Sequence, residues 1–367
     1  MDLLGIPGGV LRQAAMLAGE LRADATELLT GRAALLGLAP RGRVSAGGAT
    51  HLMPAVDGWC ALTLARDDDV AAVPALLECD AVGDDPWPEI LRWAATRPAA
   101  AVVARARLLG LPSAVAGETS AQPPRVVGCG VATVPRTGQG LLVADLTSMW
   151  AGPLCGQLLA RSGAVVVKVE SPTRPDGTRG GDRRFFDWMN SGKLCYTVDF
   201  DREPHRLAAL LATADVVLEG SRPAALIRRG LGPRDVDGRP GRVWLRITGY
   251  GTAPSVAERV AFGDDAAVAG GLLGSDDTGP VFVGDAIADP LTGLVAAAEV
   301  RAGLLRGGGE LIEVAMAEVA ASFAGAPEGP AVPLQPVAPV VRAHASAPGA
   351  DNGAVQRLIA ERLGAPC

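Results

Sequence analysis

From Gly140 onward the chain alternates short, almost unbroken apolar runs with longer stretches in which apolar residues recur every three or four positions. Residues 141–146, 164–170, 196–200, 215–219 and 242–248 are of the first kind, and 153–161, 203–213 and 222–229 of the second. Runs that are apolar at successive positions fit strands covered on both faces, and the intervening periodicity fits helices. The expected class is α/β: a Rossmann-like parallel sheet with helices on both faces, joined to a smaller α+β lobe. Such sheets bind ligands beyond the carboxyl ends of their strands, which places the loops after Leu146, Glu170, Glu219 and Thr248 around a site.

The smaller lobe is expected over residues 1–115. Residues 10–30 and 32–38 have helical spacing, 55–64 reads as a turn and an alternating strand, and 70–78, 88–96 and 99–109 read as helices. Pro112, Pro123, Pro124 and Pro135, with several glycines, mark a linker at 116–139 before a large domain at 140–323. Within that domain, 264–273 reads as a helix, 274–280 as a glycine-bearing loop, 311–314 as a strand and 315–323 as a helix. Residues 324–367 read as a Pro/Ala-rich tail with a short helix at 354–363.

The segment 281–305, VFVGDAIADPLTGLVAAAEVRAGLL, is the candidate for chemistry, because an apolar run and an acidic loop feed a long apolar helix through Asp289-Pro290. By itself Asp289 reads as a helix cap, a short acidic side chain followed by proline at the first helical position. A carboxylate there is expected among free backbone amides, with a lowered pKa, and an ionised carboxylate can act as a nucleophile. Asp285, four residues upstream and also after a glycine, is the competing candidate.

A formal charge of −6 and lysines only at 168 and 193 give no reason to expect nucleic acid. The cysteines at 60, 79, 129, 155, 195 and 367 lack CxxC pairs and histidine partners at ligand spacing, which argues against a disulfide framework and against zinc. Free thiols in a reducing cytoplasm are expected, with no signal peptide in MDLLGIPGGVLRQ and no membrane span.

Several stretches, in order, resemble the class III coenzyme A-transferases of the CaiB/BaiF type, which include formyl-CoA transferase, carnitine CoA-transferase and α-methylacyl-CoA racemase. They are LLVADL at 141–146 with Ala151-Gly152-Pro153, LLARSGAVVVKVE at 158–170, Asn190-Ser191-Gly192-Lys193, Glu219-Gly220-Ser221-Arg222-Pro223, Ile247-Thr248-Gly249-Tyr250-Gly251, Asp289-Pro290-Leu291-Thr292-Gly293 and RGGGELIEVAM at 306–316. The resemblance implies acyl-CoA and a small carboxylic acid as substrates, with Asp289 the nucleophile of an aspartyl-anhydride and aspartyl-CoA pathway. It implies Lys193, Asn190, Arg222, Arg228, Gly152 and Pro153 as coenzyme A contacts, no metal or redox cofactor, and a homodimer. Lys168 is expected to pair with Glu170 or Asp145 rather than to touch ligand.

Where the racemase branch shows Gly-His-Asp, this chain has Gly263-Asp264-Asp265, and its histidines stand elsewhere, at 51, 205 and 344. The alternatives are a racemase-like enzyme and a non-catalytic coenzyme A-binding or dimerisation relic. Asp57-Gly58-Trp59 and Leu108-Leu109-Gly110-Leu111-Pro112, which resemble the family's small domain, precede the sheet here, whereas in the family they follow it.

Overall fold

The computed structural model describes residues 4–326, 335–341 and 343–364. The first elements are helices α1 (Gly8–Glu20) and α2 (Ala25–Leu36), the hairpin of strands β1 (Thr50–Ala55) and β2 (Gly58–Thr63), helices α3 (Asp67–Ala71), α4 (Val73–Leu77), α5 (Trp87–Ala94) and α6 (Ala99–Leu108), and strand β3 (Ser113–Val115). Then follow β4 (Arg125–Gly128), β5 (Leu142–Leu146), α7 (Ala151–Arg161), β6 (Val165–Glu170), α8 (Arg183–Asn190), β7 (Leu194–Thr197), α9 (Pro204–Thr213), β8 (Val216–Glu219), α10 (Ala224–Ile227) and β9 (Val243–Thr248). The chain closes with α11 (Gly263–Ala269), the hairpin β10 (Gly274–Asp276) and β11 (Gly279–Val281), α12 (Ala288–Leu305), β12 (Glu310–Ala315), α13 (Met316–Ala324) and α14 (Asn352–Leu363).

Seven strands form the main sheet in the order β4-β12-β9-β8-β5-β6-β7, parallel throughout except for β4. The strand period of two sends Val143, Val216, Leu218, Val243, Leu245 and Ile312 into one core with α7, α12 and α13. Leu142, Ala144, Val167, Val217 and Trp244 point the other way, under α9 and α14. Both faces are covered, as the apolar runs require.

The sheet ends differently at its two edges. At β7, Asp351 Oδ2 accepts from Cys195 N at 2.8 Å and Asn352 Oδ1 from Thr197 N at 2.9 Å, so the entry to α14 occupies the strand's free hydrogen-bonding groups. At the other edge β4, inside the stretch expected to be linker, pairs with β12 and places Arg125 2.8 Å from Glu313.

The small lobe is less extensive than expected. Its own core joins β1 and β2 to α4, α5 and α6 through Met53, Leu62, Leu76, Ile90 and Val103, whereas Val10, Ala14, Leu28 and Leu29 of α1 and α2 pack into the sheet core. The first two helices therefore belong structurally with the sheet. They break at Leu21–Ala23 and not near residue 31, because Asp24 caps α2 by accepting from Thr26 N at 2.8 Å. Strand β1, helix α8 and the β10–β11 hairpin are further elements not foreseen from periodicity, and β7 begins at Leu194, two residues early.

The expected tail falls partly outside the described residues. Where described, it lies on its own chain: Val337 N donates to Thr30 Oγ1 at 2.9 Å, and Ala345 N and His344 Nδ1 meet Asp187 at 2.8 and 2.6 Å.

Candidate active site

Helix α12 begins at Ala288, one residue before Asp289, so Pro290 occupies the third helical position and not the first. Asp289 does not cap its own helix. Its Oδ2 accepts instead from the backbone N–H of Gly263 at the start of α11, at 3.1 Å. Gly263 is required there: a Cβ on it would stand 2.5 Å from Asp289 Oδ2 and would run into the carbonyl oxygen of Ala286. Further along, Gly293 lets α12 approach α7, since a Cβ would lie 2.6 Å from the Ala151 carbonyl oxygen. This contact brings the first turns of α12 and α7 together at the carboxyl end of β5.

Asp264 reaches the same place from α11. Its Oδ1 accepts from Ala286 N at 3.0 Å and its Oδ2 from Thr50 Oγ1 of β1 at 3.4 Å. Ala286 adopts a positive φ of 42°, a conformation that alanine rarely holds, and its N–H is thereby spent on Asp264. Asp285 is buried and forms an ion pair with Arg32 of α2 at 2.5 Å, leaving Oδ2 without a hydrogen-bond partner. Asp265 is buried on the other side of α11, where it accepts from Phe262 N at 2.8 Å and from Thr63 Oγ1 at 3.1 Å. The small lobe thus reaches the site through the Thr50 and Thr63 hydroxyls.

Burial first, and like charge second, decide the ionisation. Burial, then the neighbouring Asp264, push Asp289 up to about 7, against the relief offered by Arg32 and the Gly263 N–H. Burial and then Asp285 push Asp264 up to about 6. Burial also raises Asp285, against the pull of Arg32. The direction is opposite to the lowered pKa expected for Asp289 at its helix terminus, since no amide of its own helix caps the carboxylate, and burial with the nearby charge of Asp264 outweighs the single Gly263 N–H.

The other expected contacts divide into two groups. Lys193, Asn190, Gly152 and Pro153 come together beneath the first turn of α7. The Lys193 ammonium is buried and donates to Asp145 Oδ2 at 2.8 Å, the Pro153 carbonyl at 2.9 Å and Asn190 Oδ1 at 3.1 Å, which uses all three of its protons. Gly152 has no room for a Cβ against Thr147. Arg222 and Arg228 lie apart from this knot, exposed beyond the carboxyl end of β8. Arg222 stands 3.6 Å from Glu258, whereas Arg228 has no ion-pair partner among the described residues. Lys168 pairs with Asp176 at 2.6 Å, not with Glu170 or Asp145; Glu170 is taken by Arg179 and Asp145 by Lys193. Among the described residues, no group of three histidine, cysteine or acidic side chains is arranged to hold a metal ion, and no helix is long and apolar enough to cross a membrane.

Arg32 was not foreseeable as a site residue. It sits on a helix distant in sequence, in a chain whose positive charge is nearly all arginine. Asp264 carried a signal only through its position beside Gly263.

Residues 139–339 match the family model described as CoA-transferase family III. The chain is 33% identical over 177 residues to succinyl-CoA–D-citramalate CoA-transferase of Chloroflexus aurantiacus, covering 44% of this chain and 44% of that one. It is 34% identical over 199 residues to a probable fatty acyl-CoA transferase of Mycobacterium tuberculosis, covering 49% and 50%. A crystal structure of the latter protein superposes with a TM-score of 0.47 at 32% identity over 52% of this chain and 57% of that chain. The chain spans about half or less of the length of these curated relatives. With the model matched over more than half of its residues, the chain belongs to CoA-transferase family III.

Proposed function

We propose that the chain transfers coenzyme A between an acyl-CoA and a small carboxylic acid, with Asp289 as the nucleophile and no metal or redox cofactor. The observation that carries this reading is the position of Asp289. Asp289 is a half-buried residue whose carboxylate is held by a single backbone N–H where the first turns of α11 and α12 meet. Asp285 is fully buried against Arg32, and both oxygens of Asp264 are engaged by Ala286 and Thr50. Of the three carboxylates, Asp289 has the most freedom to reach a thioester.

Attack of Asp289 on the thioester carbonyl forms the acyl-aspartyl anhydride and expels coenzyme A thiolate. The thiolate then attacks the aspartyl carbonyl, giving aspartyl-CoA and releasing the first carboxylate. An incoming carboxylate attacks aspartyl-CoA to form a second anhydride, and the thiolate collects the new acyl group, which restores Asp289. In the two steps that attack the aspartyl carbonyl, the Gly263 N–H is a donor for the aspartyl oxygen on which negative charge develops. Exposed Arg228 and Arg222 are assigned to the phosphates of coenzyme A, while Lys193 and Asn190 act from beneath by fixing the first turn of α7.

The test is trapping. After incubation with an acyl-CoA, hydroxylamine is expected to modify Asp289 in the parent and nothing in Asp289→Asn. Modification of Asp285, or none with any donor, overturns the assignment.

A further inference from the structure

We propose that Arg32, on a helix outside the family-matched stretch, is the countercharge of the reacting carboxylate and so a positioning residue of the site. The inference rests on Asp289 being the nucleophile. Arg32 is fixed at its base, because its neighbour Gly31 is pressed against Trp188, where a Cβ would lie 2.7 Å from the ring. Its guanidinium sits in an aromatic corner, 5.5 Å from the centroid of Trp150 and 5.6 Å from that of Phe185, with the two rings edge-on at 5.3 Å. From there it grips Asp285, whose second oxygen has no other partner.

The charged groups that bear on Asp289 are Asp264 of α11, Asp285 of the loop before α12, and Arg32 of α2. Arg32 is the cation common to all three carboxylates, and in each case it favours the charged form. Asp285 therefore serves to hold the guanidinium in place more than to react. Without that charge, three carboxylates would share one desolvated pocket and the nucleophile would keep its proton at neutral pH.

The experiment follows the carboxyl carbon resonances of the full chain, labelled with carbon-13 in aspartate, across pH. Asp289→Asn assigns the signal. In Arg32→Gln the Asp289 midpoint is expected to rise by about one pH unit or more, and in Arg32→Lys to return most of the way. The acid limb of coenzyme A exchange should move with it. A folded Arg32→Gln whose Asp289 midpoint matches the parent overturns the proposal. Should Arg32→Gln fail to fold, the double variant Arg32→Gln/Asp285→Asn, which removes both halves of the buried pair, is compared with Asp285→Asn: the Asp289 midpoint must stand higher in the double variant, and equal midpoints overturn the proposal. A parent that is never trapped by hydroxylamine defeats the nucleophile instead, an outcome the titration reads separately.

Discussion

Replacing Asp289 by asparagine should make the protein more stable at pH 8 while abolishing coenzyme A exchange. The carboxyl rises from 3.8 to about 7 in the folded chain. At about 1.4 kcal/mol per pH unit, that rise is worth about 4 kcal/mol at most. Asp289 is part-exposed, so solvent screening reduces the figure, and about 1–3 kcal/mol is expected. The sign follows from proton linkage. Below pH 3.8 both folded and unfolded chains hold the proton and no penalty exists. Between 3.8 and about 7 the unfolded chain releases a proton that the folded chain keeps, so stability falls as pH rises. Above 7 the penalty is complete.

Asparagine removes this pH dependence without losing the geometry, because its Oδ1 can accept from Gly263 N and its Nδ2 can donate to a neighbouring carboxylate. Thermal unfolding of parent and variant at intervals from pH 4 to 8 tests the argument. The curves should agree near pH 4 and separate by several degrees at pH 8, since about 1 kcal/mol moves a domain of this size by roughly 2–4 °C. A plain cap or helix-dipole contact behaves in the opposite way. If the variant loses stability at pH 8, or if the difference is the same at every pH, the crowding argument is wrong.

Gly263→Ala should remove most coenzyme A exchange and cost about 1–3 kcal/mol, since the added Cβ overlaps Asp289 Oδ2 and the Ala286 carbonyl; unchanged activity would show that the close approach of α11 is not needed. Lys193→Met should destabilise by about 3–5 kcal/mol in chemical denaturation, because Asp145 is left buried without its cation; a near-neutral result would mean that this pair is hydrated. Limited proteolysis should cut first at residues 120–123, which are exposed and lie in neither helix nor strand, whereas first cleavage inside 150–250 would contradict the domain organisation. Sedimentation tests the expected homodimer, and a concentration-independent mass near 37 kDa would exclude it.

The sheet is legible in the sequence because strands covered on both faces must be apolar at successive positions, and 164–170 and 242–248 show this directly. What was not legible depends on partners distant in the chain. Strand β1 carries Pro54, a poor strand former, and is held by pairing with β2. Helix α8 reads RRFFDWMN, with six consecutive buried residues from Phe185 to Asn190 that mask any helical period, and it is started by Asp182, which accepts from Arg184 N. Asp289 was found through its motif, but its chemical state was not, because Asp264 lies 25 positions away and Arg32 more than 250.

Asp265 shows why an unusual ionisation alone does not mark a reactive group. Burial raises it to about 7, like Asp289, yet Phe262 N, Thr63 and Tyr250 surround it and no solvent reaches it. It joins α11 to the small lobe, and a protonated carboxyl serves that purpose as well as an ionised one. Asp289 has the same unfavourable ionisation and fewer structural duties: one accepted hydrogen bond and no cap, in a residue that is only half-buried. An asparagine could accept from Gly263 N just as well without the electrostatic cost. A carboxylate that is expensive to keep, that the fold does not need, and that the fold nonetheless leaves partly exposed is explained by what it does to a ligand.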